Sequence, residues 1–412
     1  MNRWLVVGGG SAGCVVAARL GELGAGEVTL LEAGADHGSL AAAPGEPVVD
    51  RAAIVRDGVT VVRRPGAEPV PYLQGSGLGG SALVNGAVVV GDPVAETHGH
   101  RLPIEPADDL GPVASAVIAA RGADTRVGLV RRDGRRVTVL DTYLRPAMAR
   151  GDLVVRCDTT VARIVFDGRR AVGVTTSTGE HVPADRVVVC AGAIETPALL
   201  LRSGVDTPGV GDGIQDHAGV AISFDLPDGP RSGVAIGAIV AGPHRQIVVM
   251  DRLPGRADMG ALIAGHLSVR STGRVSLPDP DGPPLVELRQ LTVPADVDGL
   301  VDAVREAVAL LDEPNLRAVV GDRYIDDHGT SPDAIVADEA ALRAWLPDHL
   351  GGFHHVAASC RTGTVLDGDG SVRGYEGLFV CDASALPAVP VRNLYLTVVR
   401  RAERLATQWA AA

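Results

Sequence analysis

The chain opens with a short apolar run, Trp4-Leu5-Val6-Val7, that breaks off at Gly8-Gly9-Gly10. From Cys14 to Leu20 apolar residues recur at helical spacing, and Val28-Thr29-Leu30-Leu31 is a second apolar run, closed by Glu32. Strand, tight turn, helix and strand within about thirty residues is the pattern of a βαβ unit in a parallel sheet. Two later stretches have the same character. Arg186-Val187-Val188-Val189-Cys190 runs into a glycine and an apolar helix over 196–204, with Thr196 placed as its cap and Pro197 as its first helical residue. Leu378-Phe379-Val380-Cys381 is a strand ending in Asp382, and a closing helix is predicted over 397–410.

Between these units the period changes. Short strands at 153–156, 160–165 and 171–175 predict a meander beside the parallel sheet. From 218 to 295 strand candidates fall at 220–224, 234–240, 246–251, 261–267, 273–277 and 285–288, followed by helices at 297–311 and 339–346. That order predicts an antiparallel sheet with helices on one face. The fold class is therefore α/β: a Rossmann-like dinucleotide domain with a second, α+β substrate domain on an antiparallel sheet. The first domain is assembled from residues 1–90, 137–217 and 364–412, the second from 218–363, and 91–136 is a lid or substrate-side segment.

Composition narrows the chemistry. A chain of 412 residues with 46 % apolar residues is long enough for two domains and a large core. A net charge of -12 without a basic cluster argues against nucleic acid as a partner. No apolar run reaches membrane-spanning length. All 38 basic residues are Arg, which excludes a Schiff-base or P-loop lysine. Five scattered cysteines without a C-x-x-C pair predict buried thiols, no metal site and a reducing, cytoplasmic setting.

The first turn carries Gly8, Gly10 and Gly13 in G-x-G-x-x-G spacing, followed by Ser11 and Ala12 at a helix N-terminus. The glycines permit a tight turn, close approach of a pyrophosphate and close helix packing, and the helix N–H groups face the phosphates. Glu32, with Ala33 beside it, stands where a carboxylate accepts a ribose 2′-OH and repels a 2′-phosphate, which selects NAD or FAD. A second glycine-rich stretch, 74–86, leads into the apolar run 87–90 and implies close contact between backbone and a flat or phosphorylated ligand.

Taken together these blocks resemble the glucose–methanol–choline (GMC) family of FAD-dependent oxidoreductases. Residues 75–86 are similar to the family's G-x-x-L-G-G-S-S-x-I-N-G, 190–203 to its second motif, and 211–217 to G-x-x-L-Q-D-H. Residues 355–363 and 378–387 resemble its last two blocks, with Ala358-Ser359-Cys360-Arg361-Thr362-Gly363 in place of G-T-C-R-M-G. The resemblance implies FAD oxidation of a small-molecule alcohol, with oxygen or another electron acceptor. It implies His355 as the base that takes the hydroxyl proton and Asn393 as a hydrogen-bond donor to the substrate oxygen. His354, on a strand, would face the other way. The cofactor set it implies comprises Gly8, Gly10, Ser11, Ala12, Gly13, Glu32, Ala33, Gly79, Gly80, Asn85, Val88, Val161, Ala191, Asp382, Ala383 and Leu394. Some members bind FAD covalently through a His whose place here is taken by Val84, so the link is expected to be noncovalent. Asp216 and His217 read as structural. The chain is shorter than most members between 33 and 75, between 87 and 141 and after Gly204, which predicts an open pocket. The family also holds lyases with non-redox FAD, so a hydroxynitrile lyase-like enzyme and a non-catalytic flavin-binding protein remain as alternatives.

Overall fold

The computed structural model describes residues 2–38, 54–56, 58–90, 99–227 and 233–412. Part of the shortened segments, 39–53 and 91–98, lies outside the described residues, and with it the expectation of an open pocket.

Five strands, β1 (Arg3–Val7), β2 (Glu27–Leu31), β3 (Val154–Arg156), β4 (Arg186–Val189) and β5 (Leu378–Val380), form one parallel sheet in the order β5-β4-β1-β2-β3. β1 is central and buried on both sides, as an all-parallel sheet requires. Trp4 and Val6 enter a core with the helices Ser11–Glu22 and Leu394–Ala410. Leu5 and Val7 point the other way, into a core shared with the helix Gly192–Arg202 and a three-stranded meander.

The meander consists of Val161–Asp167, Arg170–Thr176 and His181–Pro183. The expected strand at 153–156 is not part of it: it is β3, the edge of the parallel sheet, with Val154 58 % exposed. Its partner lies 125 residues upstream, so local spacing assigned it to the wrong neighbour. The helix after β4 also begins earlier than its cap signals suggest, at Gly192. Thr196 and Pro197 sit inside it, and Thr196 Oγ donates to Asp382 Oδ2 (2.5 Å). Pro197 has no N–H for the Ala193 carbonyl, which instead accepts the buried Ser359 hydroxyl at 2.6 Å.

The second sheet runs in the order Ile236–Ala241, Arg245–Met250, Met259–His266, Ala218–Asp225, Arg323–Tyr324, and Gly351–Gly352 pairs with the start of the fourth strand. One face packs against the helices Pro112–Arg121 and Pro294–Leu311. The predicted strands at 273–277 and 285–288 leave this sheet. Gly273–Ser276 pairs with Asp212–Ile214 on one side and Leu285–Glu287 on the other, because Val275 and Val286 bury against Ile214 and Tyr72 in a separate small core. No helix among the described residues is long and apolar enough to cross a membrane.

Candidate active site

A cavity of about 880 Å³ extends from the carboxyl ends of the parallel strands to the second face of the antiparallel sheet, which also packs on Val127 and Leu129. The carboxyl ends of a doubly wound sheet are where such folds hold their ligands. Gly8, Gly10, Ser11 and Ala12 form one wall, with Glu32 and Ala33 beyond them. Gly80, Asn85, Val88, Val161, Ala191, Asp382, Ala383 and Leu394 line it further along, as do His355 and Asn393. Gly13 and Gly79 are not in the wall. Gly13 stands behind it, where a Cβ would lie 1.8 Å from the Gly8 carbonyl oxygen, and Gly79 takes a left-handed φ of 100° and donates its N–H to Gly9 O (2.8 Å).

The donor set fits an adenine dinucleotide. A Cβ at Gly10 would meet nothing within 4 Å, so the backbone there is open to a ligand, and the helix Ser11–Glu22 begins at that point. Glu32 is fixed by two backbone donors, Gly9 N–H to Oε2 (2.6 Å) and Gly34 N–H to Oε1 (2.9 Å). Each oxygen retains a lone pair for a hydroxyl. Asn85 is held by Arg136, whose Nη1 donates to Asn85 Oδ1 (3.0 Å) and Nη2 to Asn85 O (2.7 Å). Burial pushes the Arg136 pKa down to about 10. Asp382 is buried and accepts four hydrogen bonds, from Gly192 N–H, Thr196 Oγ, Ser384 N–H and Ser384 Oγ. It locks the ends of β4 and β5 together, and burial raises its pKa.

His355 lines the cavity, and behind it lies a fully buried second histidine, His217, that the sequence separates from it by 138 residues. His355 Nδ1 lies 3.0 Å from His217 Nδ1, with the rings perpendicular at a centroid distance of 5.2 Å. His217 Nε2 is 3.0 Å from the Pro390 carbonyl oxygen, which can only accept, so this nitrogen carries the proton. Burial pushes the His217 pKa down to about 4, so the ring is neutral at pH 7 and its Nδ1 is a lone pair. His355 Nδ1 must then be the donor. Its own pKa is held well below the usual histidine value, by burial first and then by His217 and His354, so it is neutral too. The network therefore leaves His355 Nε2 as the unprotonated nitrogen.

The backbone around His355 is braced as well. Asp216 Oδ1 accepts the His355 N–H (2.8 Å), and Asp216 Oδ2 accepts from Tyr72 Oη (3.2 Å). Tyr72 Oη accepts the Val356 N–H (3.3 Å). Burial raises the Asp216 pKa to about 6. His354 does not sit on a strand as expected. It occupies a bend with φ 58°, its ring tilted against Tyr72 at 4.8 Å, and it lines the cavity beside His355. A left-handed residue, rather than strand alternation, separates the two rings.

Asn393 precedes the helix Leu394–Ala410 but makes no side-chain cap. Its Oδ1 accepts from Gln246 Nε2 at 3.4 Å, which leaves the Asn393 amide N–H₂ for the cavity. Gln246, Tyr72, Asp216 and His217 were not expected in the site. Gln246 is one buried polar residue in an apolar strand and carries no motif. The reading of Asp216 and His217 as merely structural missed their contacts with His355, although both stand in a recognisable block.

Family models for GMC oxidoreductases match residues 120–219 and 269–402. The chain is 30 % identical to an uncharacterised GMC-type oxidoreductase of Rhodococcus erythropolis, covering 97 % of each chain. That alignment spans 493 positions against 412 residues, so the relative carries segments this chain lacks. An oxygen-dependent choline dehydrogenase of Klebsiella pneumoniae is 25 % identical over 98 % of this chain and 95 % of its own. Among solved structures, pyridoxine 4-oxidase from Mesorbium loti superposes with a TM-score of 0.83 at 22 % identity, covering all of both chains. A fungal aryl-alcohol oxidase superposes with a TM-score of 0.80 at 17 % identity, covering 100 % and 99 %.

Proposed function

The chain belongs to the GMC oxidoreductase family, and from that premise we propose that it oxidises an alcohol to a carbonyl compound with noncovalently held FAD. Gly8, Gly10, Ser11 and Ala12 would hold the pyrophosphate, Glu32 the ribose, and Asn85, Ala191 and Ala383 the flavin half. Val84 lines the cavity and offers no nucleophile for a covalent link. FAD, when bound, supplies a two-electron acceptor for the hydride from the carbinol carbon.

His355 Nε2 takes the hydroxyl proton. The neutral ring is the form a base needs, and the hydrogen bond to His217 Nδ1 supports the imidazolium that results. The Asn393 amide donates to the substrate oxygen as it becomes an oxyanion. Asp216 and Tyr72 hold the backbone of His355, so the ring is aimed before substrate arrives. The observation that carries this reading is the one-way proton order from Pro390 O through His217 to His355, which assigns a free lone pair in the cavity.

Acid-precipitated protein should release FAD into solution. Anaerobic mixing with a substrate alcohol should bleach the flavin, and His355→Ala should slow bleaching by about two to four orders of magnitude with FAD retained. Flavin that stays oxidised with every alcohol tried would refute the redox reading in favour of a lyase or a flavin-binding protein. Flavin retained in the pellet would refute the noncovalent link.

A further inference from the structure

Deepening the alcohol-oxidation reading and resting on it, we infer that the site accepts uncharged, apolar alcohols and excludes cationic and polyhydroxylated ones. The wall opposite the glycine turn is the face of the antiparallel sheet turned away from the helices Pro112–Arg121 and Pro294–Leu311, where Ile239, Val248 and Met250 also pack on Val127 and Leu129. Across three adjacent strands Ile239, Val248 and Ile263 stand directly opposite one another, and all three line the cavity. Ile236 and Met250 form a second cross-strand pair on the same wall. Strict alternation would put Ile236 and Ile239 on opposite faces. A register shift between Ile236 and Ala238 absorbs one residue and turns both inward. Phe353 completes the wall: its ring lies where side chains at Gly219 and Gly265 would be, with a hypothetical Cβ 2.6 Å and 2.3 Å from it. The same ring stacks on His355 at a centroid distance of 5.8 Å, which ties this apolar wall to the proposed base.

The polar groups on this side already have assignments. Gln246 is buried and turned to Asn393, and His355 and Asn393 together serve a single hydroxyl. His354 rests on Tyr72. Among the described residues of the sheet and of 352–356 that line this end, there is no carboxylate and no guanidinium. The acidic residues of the cavity wall, Glu32, Glu195 and Asp382, stand on the parallel-sheet half, and each is engaged by a backbone or side-chain donor. A quaternary ammonium would be desolvated here with no opposite charge, and further hydroxyls would lose water without gaining a partner.

The test is calorimetric titration of the FAD-loaded protein with 2-methyl-2-alkanols, which lack a hydrogen on the carbinol carbon and bind without turnover. Each added methylene should tighten binding about fourfold while the chain fits, the value of transferring one CH₂ out of water. Choline and sorbitol should not compete with the bound tertiary alcohol. Ile263→Asp, which puts a charge on this wall, should weaken the longest ligand at least tenfold. Affinity that does not depend on chain length, competition by choline or sorbitol, or an unchanged Ile263→Asp affinity in folded protein would overturn the inference. Chain-length-dependent binding together with primary alcohols that never bleach the flavin anaerobically would uphold the apolar site and refute the redox reading instead.

Discussion

Replacing His217 by Phe isolates the tautomer argument, because it keeps a ring in the space and removes both nitrogens. In the parent the His355 Nδ1 proton is paired at 3.0 Å, and that pairing leaves Nε2 with the lone pair that the proposed base needs. In His217→Phe the same N–H would be buried without a partner, at a penalty of about 1–3 kcal/mol. The ring escapes by moving its proton to Nε2, where it can face the substrate oxygen. The population of the basic tautomer then falls by about five- to 150-fold, and the flavin-reduction rate at saturating alcohol falls with it. His217→Asn is the companion variant: its Oδ1 stands near the former Nδ1 and accepts the same proton, so it should recover much of the loss. Stopped-flow reduction under anaerobic conditions reads the rate, with flavin content and melting temperature as checks on folding. A parental rate in a flavin-loaded His217→Phe protein, or equal losses in the Phe and Asn variants, would refute the reasoning.

Asn393→Ala should slow flavin reduction by about a hundredfold or more, and Gln246→Leu by less, since the second only frees the amide to rotate. Single-turnover rates that fall equally in both would mean that Gln246 itself touches substrate. Burial raises Asp216 and Asp251 to about 6, so folded protein holds protons there that the unfolded chain has lost. Stability therefore declines as pH rises from about 4 to 6 through these groups. Asp251 caps the helix Pro112–Arg121 through the Val113 and Ala114 N–H groups, and Asp251→Asn removes its share of that slope. The parent should gain about 2 kcal/mol on the variant between pH 6 and 4 in urea titrations, and a pH-independent difference would refute the assignment. Ser359→Ala should cost about 1–3 kcal/mol, because it leaves the buried Ala193 carbonyl without the donor that Pro197 denies it.

Much of the parallel half was legible because its signals are local: an apolar run, a glycine turn and an acid within about thirty residues. The early strands and the glycine wall follow from that alone. Partner choice was not legible. Val154–Arg156 reads like the strands after it, and only the exposed edge of β2 draws it away. Gly273–Ser276 alternates like its neighbours, yet its apolar face belongs to the small core around Tyr72. The helix start at Gly192 was hidden because Thr196 and Pro197 are good opening residues. Their orphaned groups find partners in Asp382 and Ser359, far along the chain. His355 and Asn393 stand at motif positions and line the cavity, but their side-chain contacts carry no such signal. Periodicity describes a residue's own element, whereas His217 and Gln246 act across 138 and 147 positions.

The strand order β5-β4-β1-β2-β3 also governs when the protein can work during its synthesis. The glycine turn leaves the ribosome some 370 residues ahead of β5, Asp382 and the helix from Leu394. Until then β4 lacks one neighbour, the Gly192 N–H at the start of the following helix lacks the Asp382 carboxylate, and the apolar face of the helix Ser11–Glu22 lacks the helix that covers it. At about 5–20 residues per second, this early half waits tens of seconds for its cover. Topology thus predicts late cofactor capture: flavin uptake by nascent chains of increasing length should start only once the helix Leu394–Ala410 has emerged.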